Sequence, residues 1–509
     1  MMAKVISGAT VGLESVPVEV EVNIERRGFP SFKIVGLPGK AVEEAKERVR
    51  SALKNSSAEF PTYRLTVNLA PADLPKSGPA YDLPIALGIL LADEQISADL
   101  SNTLVLGELS LDGHLRHTPG VLPMALLAKK EGFKKIFLPE VNAREASIVK
   151  GVEIFPVRSI KSLFDHLTKF KLIKPQPHTD FQSLLETDED YGFDLADVRG
   201  QEQAKRALEI AAAGGHNLIM KGPPGAGKTL LARTMPSILP RLTAEEALEV
   251  TKIYSITGNL PHQEPLIKHR PFRSPHHTTS RIGLIGGGSH PSPGEISLAH
   301  RGVLFLDEFP EFPRHVLESL RQPVEDGVVT ITRALGTLTF PAKFILVAAQ
   351  NPCPCGFRGD PKRRCVCTQR QITKYQKRVS GPLLDRIDLH VEVPAVKHEK
   401  LTAKEPTGES SKVVRERVQA ARERQEKRFK GTKLVCNAEM TAKNIKKYCQ
   451  LDEEEGNFLR QAVVQMDLSA RAYHRILKVA RTIADLAGSE KIESNHLAEA
   501  LQYRPQLEV

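Results

Sequence analysis

The chain has 509 residues, 41% of them hydrophobic and 26% charged, with a formal net charge of +10. That length exceeds what one hydrophobic core organises, so roughly two to four domains are expected of an ordinary soluble globular composition. The start, MMAKVISGAT, lacks the apolar core of a secretory signal. The most apolar run, residues 83–92, contains Pro84 and falls short of the ~20 residues a spanning helix needs. A membrane protein is therefore excluded and a cytoplasmic location expected. Six cysteines are too few for a disulfide framework, and four of them crowd together, as in a metal site of a reducing compartment. The basic charge fits an anionic partner such as nucleic acid, and equally a generic basic surface.

In chain order, VEVEVNIE (residues 18–25) alternates at period two and predicts a half-buried strand. Residues 41–53 space their apolar side chains as a helix does. GLPGK (residues 36–40) imitates a phosphate loop, but Ile34 and Ala41 replace the first glycine and the hydroxyl, so it reads as a turn before that helix. YRLTVNLAP from Tyr63 is a strand, residues 84–91 a buried helix, and IFLP at Ile136 a late strand. Asp112-Gly113 and Pro119-Gly120 mark turns. Residues 169–191 are polar and aperiodic, a linker in which residues 181–185 could dock. Residues 192–393 alternate helices with the apolar runs NLIMKG, GVLFLDE and FILVAAQN, the pattern of a parallel sheet covered on both faces. A polar interval, a charged helix (VVRERVQAARERQEKRF) and a helical bundle from about Thr441 complete the chain.

GPPGAGKT at residues 222–229 (Gly222, Pro223, Pro224, Gly225, Ala226, Gly227, Lys228, Thr229) matches the Walker A pattern between a strand and a helix. Its glycines turn backbone N–H groups onto phosphates, Lys228 is expected to reach the β- and γ-phosphates, and Thr229 to ligate Mg²⁺. Asp307 and Glu308 end the apolar run GVLFL, where ligands of open α/β sheets bind. Asp307 then holds Mg²⁺ and Glu308 polarises the attacking water. Asn351, at the end of FILVAAQN, suits a γ-phosphate sensor. Arg386 in LLDRIDL suits a finger supplied to another subunit. Arg471, in LSARAYHR, suits a lid contact, with Arg475 and Arg481 as competitors.

This order of motifs resembles AAA+ ATPases of the magnesium-chelatase and MCM-helicase branch. Residues 272–308 resemble its helix-2 insertion, and residues 320–344 its pre-sensor-1 hairpin, whose strand VVTIT, Gly336 and TLTF predict a hairpin on their own. With NPCPCGFRGDP and RVSGPLLDRIDLHVEVP, nearly the whole chain is identified as resembling the YifB/ComM family. The resemblance implies an α/β fold with three parts: an N-terminal Lon-protease-like α+β domain (1–168), a central AAA+ P-loop domain (192–395) and a C-terminal helical lid reached by a helical linker (396–509). It also implies a ring, expected to be a hexamer, that hydrolyses ATP at subunit interfaces and moves on DNA, with helicase and branch-migration activity serving natural transformation.

PKSGPAYDLPIAL at Pro75 resembles the proteolytic motif of Lon, PKDGPSAG. Lon chemistry needs a serine nucleophile and a lysine base. The serine position falls on Ala80 and the lysine position on Leu122, while Lys76 and Ser77 match the non-catalytic part. The domain is expected to be catalytically dead and to act as scaffold or binding surface.

Cys353, Cys355, Cys365 and Cys367 form C-x-C-x₉-C-x-C. Two close thiolate pairs suit a structural Zn²⁺, and four free thiols or a redox pair is the alternative. Around them lie Arg358, Lys362, Arg363, Arg364, Arg370, Lys374, Lys377 and Arg378, a patch suited either to phosphate neutralisation or to a neighbouring subunit. Arg363, Arg364 and hairpin-tip Arg333 are the candidate DNA contacts. Tyr375 alone supplies an aromatic, which argues against base stacking. His276 and His277 have no metal partner at ligand spacing, so a polar role is expected. The expected function is an ATP-dependent DNA motor; the alternative is a chelatase-type ATPase that remodels a partner protein.

Overall fold

Alternating burial along Met2–Val11 and Glu14–Glu25 makes these two runs an antiparallel hairpin, registered from Met2 opposite Asn23 to Val11 opposite Glu14. The computed structural model describes residues 2–505 apart from 28, 57, 75, 77, 79, 181–183, 186–190, 262–263, 289–290, 334–335, 361–362 and 396–407, and apart from the side chains of 333 and 336. The chain divides into two units: residues 1–186, 244–268 and 289–292, and residues 187–243, 269–288 and 293–509.

In the first unit the hairpin lies within a seven-stranded mixed sheet. From edge to edge the strands are Ser31–Val35, Arg64–Ala70, Glu14–Glu25, Met2–Val11, Thr103–Val105, Lys135–Pro139 and Glu153–Val157. Helix Lys40–Asn55 follows the glycine turn that imitates a phosphate loop, with Gly39 as its N-cap. Helix Asp82–Ala92 is buried along nearly its whole length, as its unbroken apolar run requires. Its one charged residue, Asp82, is paired with Arg48 at 2.6 Å and accepts the Leu109 amide at 3.1 Å. A buried carboxylate held in this way keeps its hydrogen bonds satisfied.

Two boundaries differ from the sequence expectation. The first part of the 169–191 linker is fastened to the first unit: Gln176 bridges Ile154, and the Thr179 amide donates to Ser147. Polar composition cannot distinguish such a strap from a free linker. Of the docking stretch 181–185, residues 181–183 lie outside the described residues. Second, residues 244–268, expected in the ATPase core, fold with the first unit. Helix Ala244–Ile256 buries Ala247, Val250 and Ile253. Its Ser255 hydroxyl donates to Glu145 at 2.5 Å, and Glu145 also receives the amide of Leu122 at 2.9 Å. Burial pushes the Glu145 carboxyl above its ordinary value, against these hydrogen bonds.

The second unit is built on five parallel strands in the order Phe272–Arg273, Val303–Leu306, Ile345–Gln350, Leu218–Lys221 and Leu389–Glu392. The inner three are almost entirely buried, which accounts for runs without alternation. The helical bundle shares one apolar core with this sheet, reaching from Leu195 to Tyr503. The charged helix spans Ser411–Phe429; its buried Val414, Val418, Ala421 and Phe429 form the stripe that meets the core. Helix Ala470–Ala487 starts at Ser469, whose hydroxyl accepts the Ala472 amide, and stops at Gly488 with φ +78°.

A buried polar network ties sheet to bundle. His216 contacts Asp388 at 2.9 Å and Thr482 at 2.8 Å; Asn437 donates to Thr482 and, at 2.9 Å, to Asp485. Asp485 is fully buried and is also paired with Arg428 and with Arg481 at 3.1 Å. Replacing Asp485 by Ala leaves two guanidinium groups without their carboxylate. It is expected to destabilise this unit by about 3–5 kcal/mol, read as a urea-unfolding transition shifted to lower concentration.

Candidate nucleotide and metal sites

The register of the parallel strands assembles the first site. Lys221 lies opposite Gln350, and Leu306 opposite Ala348, so Gly222, Asp307 and Asn351 leave the sheet at one edge. Gly222 is required there because a Cβ would lie 2.0 Å from the Val393 carbonyl oxygen. Gly225 and Gly227 have φ of +75° and +89°, the left-handed backbone that glycine adopts without strain. Helix Lys228–Ile238 begins immediately after, so its free N–H groups face the loop.

Lys228 is buried and its Nζ donates to the carbonyls of Gly222 (2.7 Å) and Pro223 (2.8 Å) and to Asn351 Oδ1 (3.1 Å). Burial lowers its pKa below the ordinary lysine value, against the attraction of Asp307. Thr229 Oγ1 donates to Asp307 Oδ2 at 2.7 Å. A hydroxyl and a carboxylate this close are the hard oxygen donors Mg²⁺ takes alongside phosphates. The loop, Lys228, Thr229 and Asp307 therefore fit a Mg²⁺-nucleotide. Such a ligand would supply an electrophilic phosphoryl group, and Glu308 is the next residue in the chain after Asp307.

Glu308 sits in the left-handed region at φ +50°, and its side chain meets His277 Nδ1 at 3.1 Å. No spacing in the sequence links these two residues, which lie on different segments. The His276 and His277 ring centroids lie 4.1 Å apart with the rings tilted by 34°, and His276 Nδ1 meets Thr278 Oγ1 at 2.9 Å. Gln201 is a second residue that no local pattern announces: its side chain donates to the Ala226 carbonyl at 3.2 Å.

Arg386 is not gathered with these groups. Its guanidinium donates to the Pro382 carbonyl at 2.7 Å and pairs with Glu325. Arg471 reaches the other oxygen of the same carboxylate at 3.3 Å. Two arginines 85 positions apart in sequence thus share Glu325, on the helix Arg321–Asp326 that leads into the hairpin. A lone glutamate in a short helix gives no sequence signal of this. Arg475 and Arg481 are buried and committed, the first to the Ile387 carbonyl and the second to Asp485. The hairpin itself pairs Val328–Arg333 with Gly336–Pro341, burying Val329, Ile331 and Phe340. The Arg333 side chain lies outside the described residues.

The four clustered cysteines come together. Their sulfurs lie within 4.8 Å of one another, with Cys353–Cys355 at 3.4 Å, Cys353–Cys365 at 3.7 Å and Cys355–Cys365 at 3.6 Å. Tetrahedral Zn²⁺ with bonds of about 2.3 Å needs sulfurs about 3.8 Å apart, so the donor set and its spacing both fit. Backbone amides of Phe357 and Val366 donate to Cys355 and bring its thiol down to about 6. Cys367 receives an amide from Cys355, yet burial and the adjacent thiols push it up to about 12. Thiols this crowded resist ionising together, and a divalent cation removes that repulsion. Among the described residues this is the one His, Cys, Asp and Glu group with metal-site geometry.

Beside the cluster is an open cleft of about 910 Å³ lined by Arg314, Arg370, Lys374, Lys377 and Arg378 together with Glu311, Phe312, Pro313, Gln369 and Thr373. Glu311, its one acid, is paired with Arg378. Tyr375 is buried and cannot stack on a base. Arg363 lies over Phe357 at 5.0 Å, Arg364 is exposed, and Lys362 lies outside the described residues.

At the Lon-like positions, Ala80 contributes only its carbonyl, which accepts the Gly107 amide, and Leu122 is fully buried. Lys76 is buried, its Nζ donating to the Pro71 carbonyl, and Ser77 lies outside the described residues. The serine and lysine of a Lon dyad are therefore missing from both aligned positions. No helix among the described residues is long and apolar enough to cross a membrane.

Comparison with known proteins agrees with this architecture. A family model described as magnesium chelatase, subunit ChlI, matches residues 194–401; models of subunit ChlI of Mg-chelatase and of the ChlI C-terminal region match residues 20–142 and 408–504. The uncharacterized protein YifB of Escherichia coli is 46% identical over 499 residues, covering 97% of this chain and 96% of that protein. Competence protein ComM of Haemophilus influenzae is 45% identical over 504 residues, covering 99% and 97%. Lon protease 2 of Bacillus subtilis is 31% identical over 125 residues, covering 24% and 22%. With a Lon-like N-terminal part, a P-loop sheet and a helical C-terminal region, the chain belongs to the magnesium-chelatase-like AAA+ ATPase family that includes YifB and ComM.

Proposed function

We propose that this ATPase works as a ring, a hexamer, that moves on DNA and promotes branch migration, helping incoming DNA to integrate. In its own site Lys228 binds the β- and γ-phosphates, Thr229 and Asp307 hold Mg²⁺, Glu308 polarises water and Asn351 senses the γ-phosphate. Arg386 serves a neighbouring subunit's nucleotide, Arg471 contacts the γ-phosphate from the lid, and the four cysteines hold a structural Zn²⁺. The observation that carries the DNA reading is the basic cleft. Its first wall, residues 311–314, begins three residues after Glu308, so a group bound there is directly connected to the hydrolytic carboxylates. Five cationic side chains against one paired acid suit a phosphate backbone. Arg333 at the hairpin tip, Arg363 and Arg364 are the further candidate phosphate contacts in this reading. The similarity to a competence protein supports the cellular role.

A second reading, remodelling of a partner protein, is favoured by the chelatase family models. ATP hydrolysis measured with and without single-stranded or forked DNA separates the two, with Lys228→Ala as the blank. Stimulation that declines steeply with salt supports the motor; absence of both stimulation and low-salt binding overturns it. Movement of a synthetic four-way junction then distinguishes motor action from binding.

Arg386→Ala and Lys228→Ala are each expected to lower hydrolysis by about 10²-fold or more. Mixing the two variants restores part of the rate, because a Lys228→Ala subunit still offers Arg386 to an intact loop beside it. Mixtures as inactive as either variant alone would show that Arg386 acts within its own chain.

A further inference from the structure

The cysteine cluster is joined to the nucleotide site by contacts that neither the family match nor the cysteine spacing accounts for. Strand Ile345–Gln350 delivers Asn351, and Cys353 follows two residues later, fully buried. The chain then turns back: the Gly356 amide donates to the Cys353 carbonyl at 2.9 Å, and Gly356 adopts φ +83°. A Cβ on Gly356 would lie 2.5 Å from Cδ of Pro224 and 3.8 Å from Cγ of Asn351. The turn between the first two cysteines therefore presses on the phosphate loop and on the sensor side chain together. The Asn351 backbone amide also donates to the Tyr375 hydroxyl, whose ring is buried. Asn351 in turn receives Lys228 at 3.1 Å.

Resting on the reading of these cysteines as a metal site, we propose that the bound ion is a working part of the hydrolytic centre: by fixing the 353–356 turn it sets Asn351 and Pro224 in the positions that hydrolysis requires. A divalent ion held by all four sulfurs would tie the 353–356 turn to the 365–367 segment and so hold that turn against the loop. Residues that orient a reacting group act on the rate more than on affinity, because a small misplacement affects the transition state and not the bound ground state. Loss of the ion is therefore expected to lower kcat while nucleotide affinity is kept.

The test uses the full-length protein and two variants. Cys355→Ser/Cys365→Ser removes metal ligands. Gly356→Val keeps all four thiolates but drives a side chain into Pro224. Zinc content is measured by elemental analysis, nucleotide affinity with a fluorescent ATP analogue, and hydrolysis by phosphate release. Wild-type protein should carry about one zinc per chain; metal-free, active wild-type protein would overturn both the metal reading and the coupling. Both variants should hydrolyse about tenfold or more slowly with affinity unchanged, Gly356→Val with its zinc retained. A folded, metal-free double variant that hydrolyses at the wild-type rate overturns the coupling while leaving the metal reading intact. If the double variant does not fold, Gly356→Val decides alone: a wild-type rate overturns the proposal, and a lowered kcat with intact affinity and retained zinc supports it.

Discussion

Three parallel strands run to the same edge of one sheet, and nearly every group of the nucleotide site owes its position to their register. Lys221 opposite Gln350 and Leu306 opposite Ala348 leave no slack between phosphate loop, acidic pair and Asn351. The register is held by an apolar core in which Leu218, Met220, Val303, Phe305, Val347 and Ala349 exclude water. A slip of one residue in a strand would move these side chains to the opposite face of the sheet. The packing that stabilises the sheet is thus the same packing that aligns its chemistry.

Charges of the second unit, at the nucleotide site and away from it, are held by partners from distant segments. Glu308 meets His277, Thr229 meets Asp307, and Arg386 shares Glu325 with Arg471. Pairs exposed in this way are individually weak and are easily exchanged for other partners. Asp485, sealed among two arginines and an asparagine, has no such freedom. The second unit therefore contains both kinds of electrostatics: a buried network where bundle meets sheet, and more exposed contacts around Asp307, Glu308 and Glu325.

What could be read in the sequence was local. Residues 222–229, the Asp307-Glu308 pair and the four cysteines lie in short runs whose chemistry needs a fixed spacing, so their grouping survives without coordinates. Apolar runs likewise announced the parallel sheet, and alternation announced the N-terminal strands. The contacts made across long stretches of chain were silent. Nothing in HHTTS indicates that His277 meets Glu308, and a solitary Glu325 resembles any solvated helical residue. The strap around Gln176 and Thr179 reads as linker because backbone hydrogen bonds leave no mark on composition. Helix Ala244–Ile256 has a modest apolar face and no feature that names its destination.

That helix also determines how the chain can be divided. The first unit is assembled from three separate stretches, with the second threaded between them. A fragment ending near residue 186 would lack Ala247, Val250 and Ile253 and would leave Glu145 without the Ser255 hydroxyl. The reciprocal fragment, beginning near residue 187, would carry Ala244–Ile256 without the helix Val121–Glu131 it packs on. No single peptide-bond cleavage yields either unit whole. The Lon-like part is therefore not a segment that one cut near residue 186 would release whole.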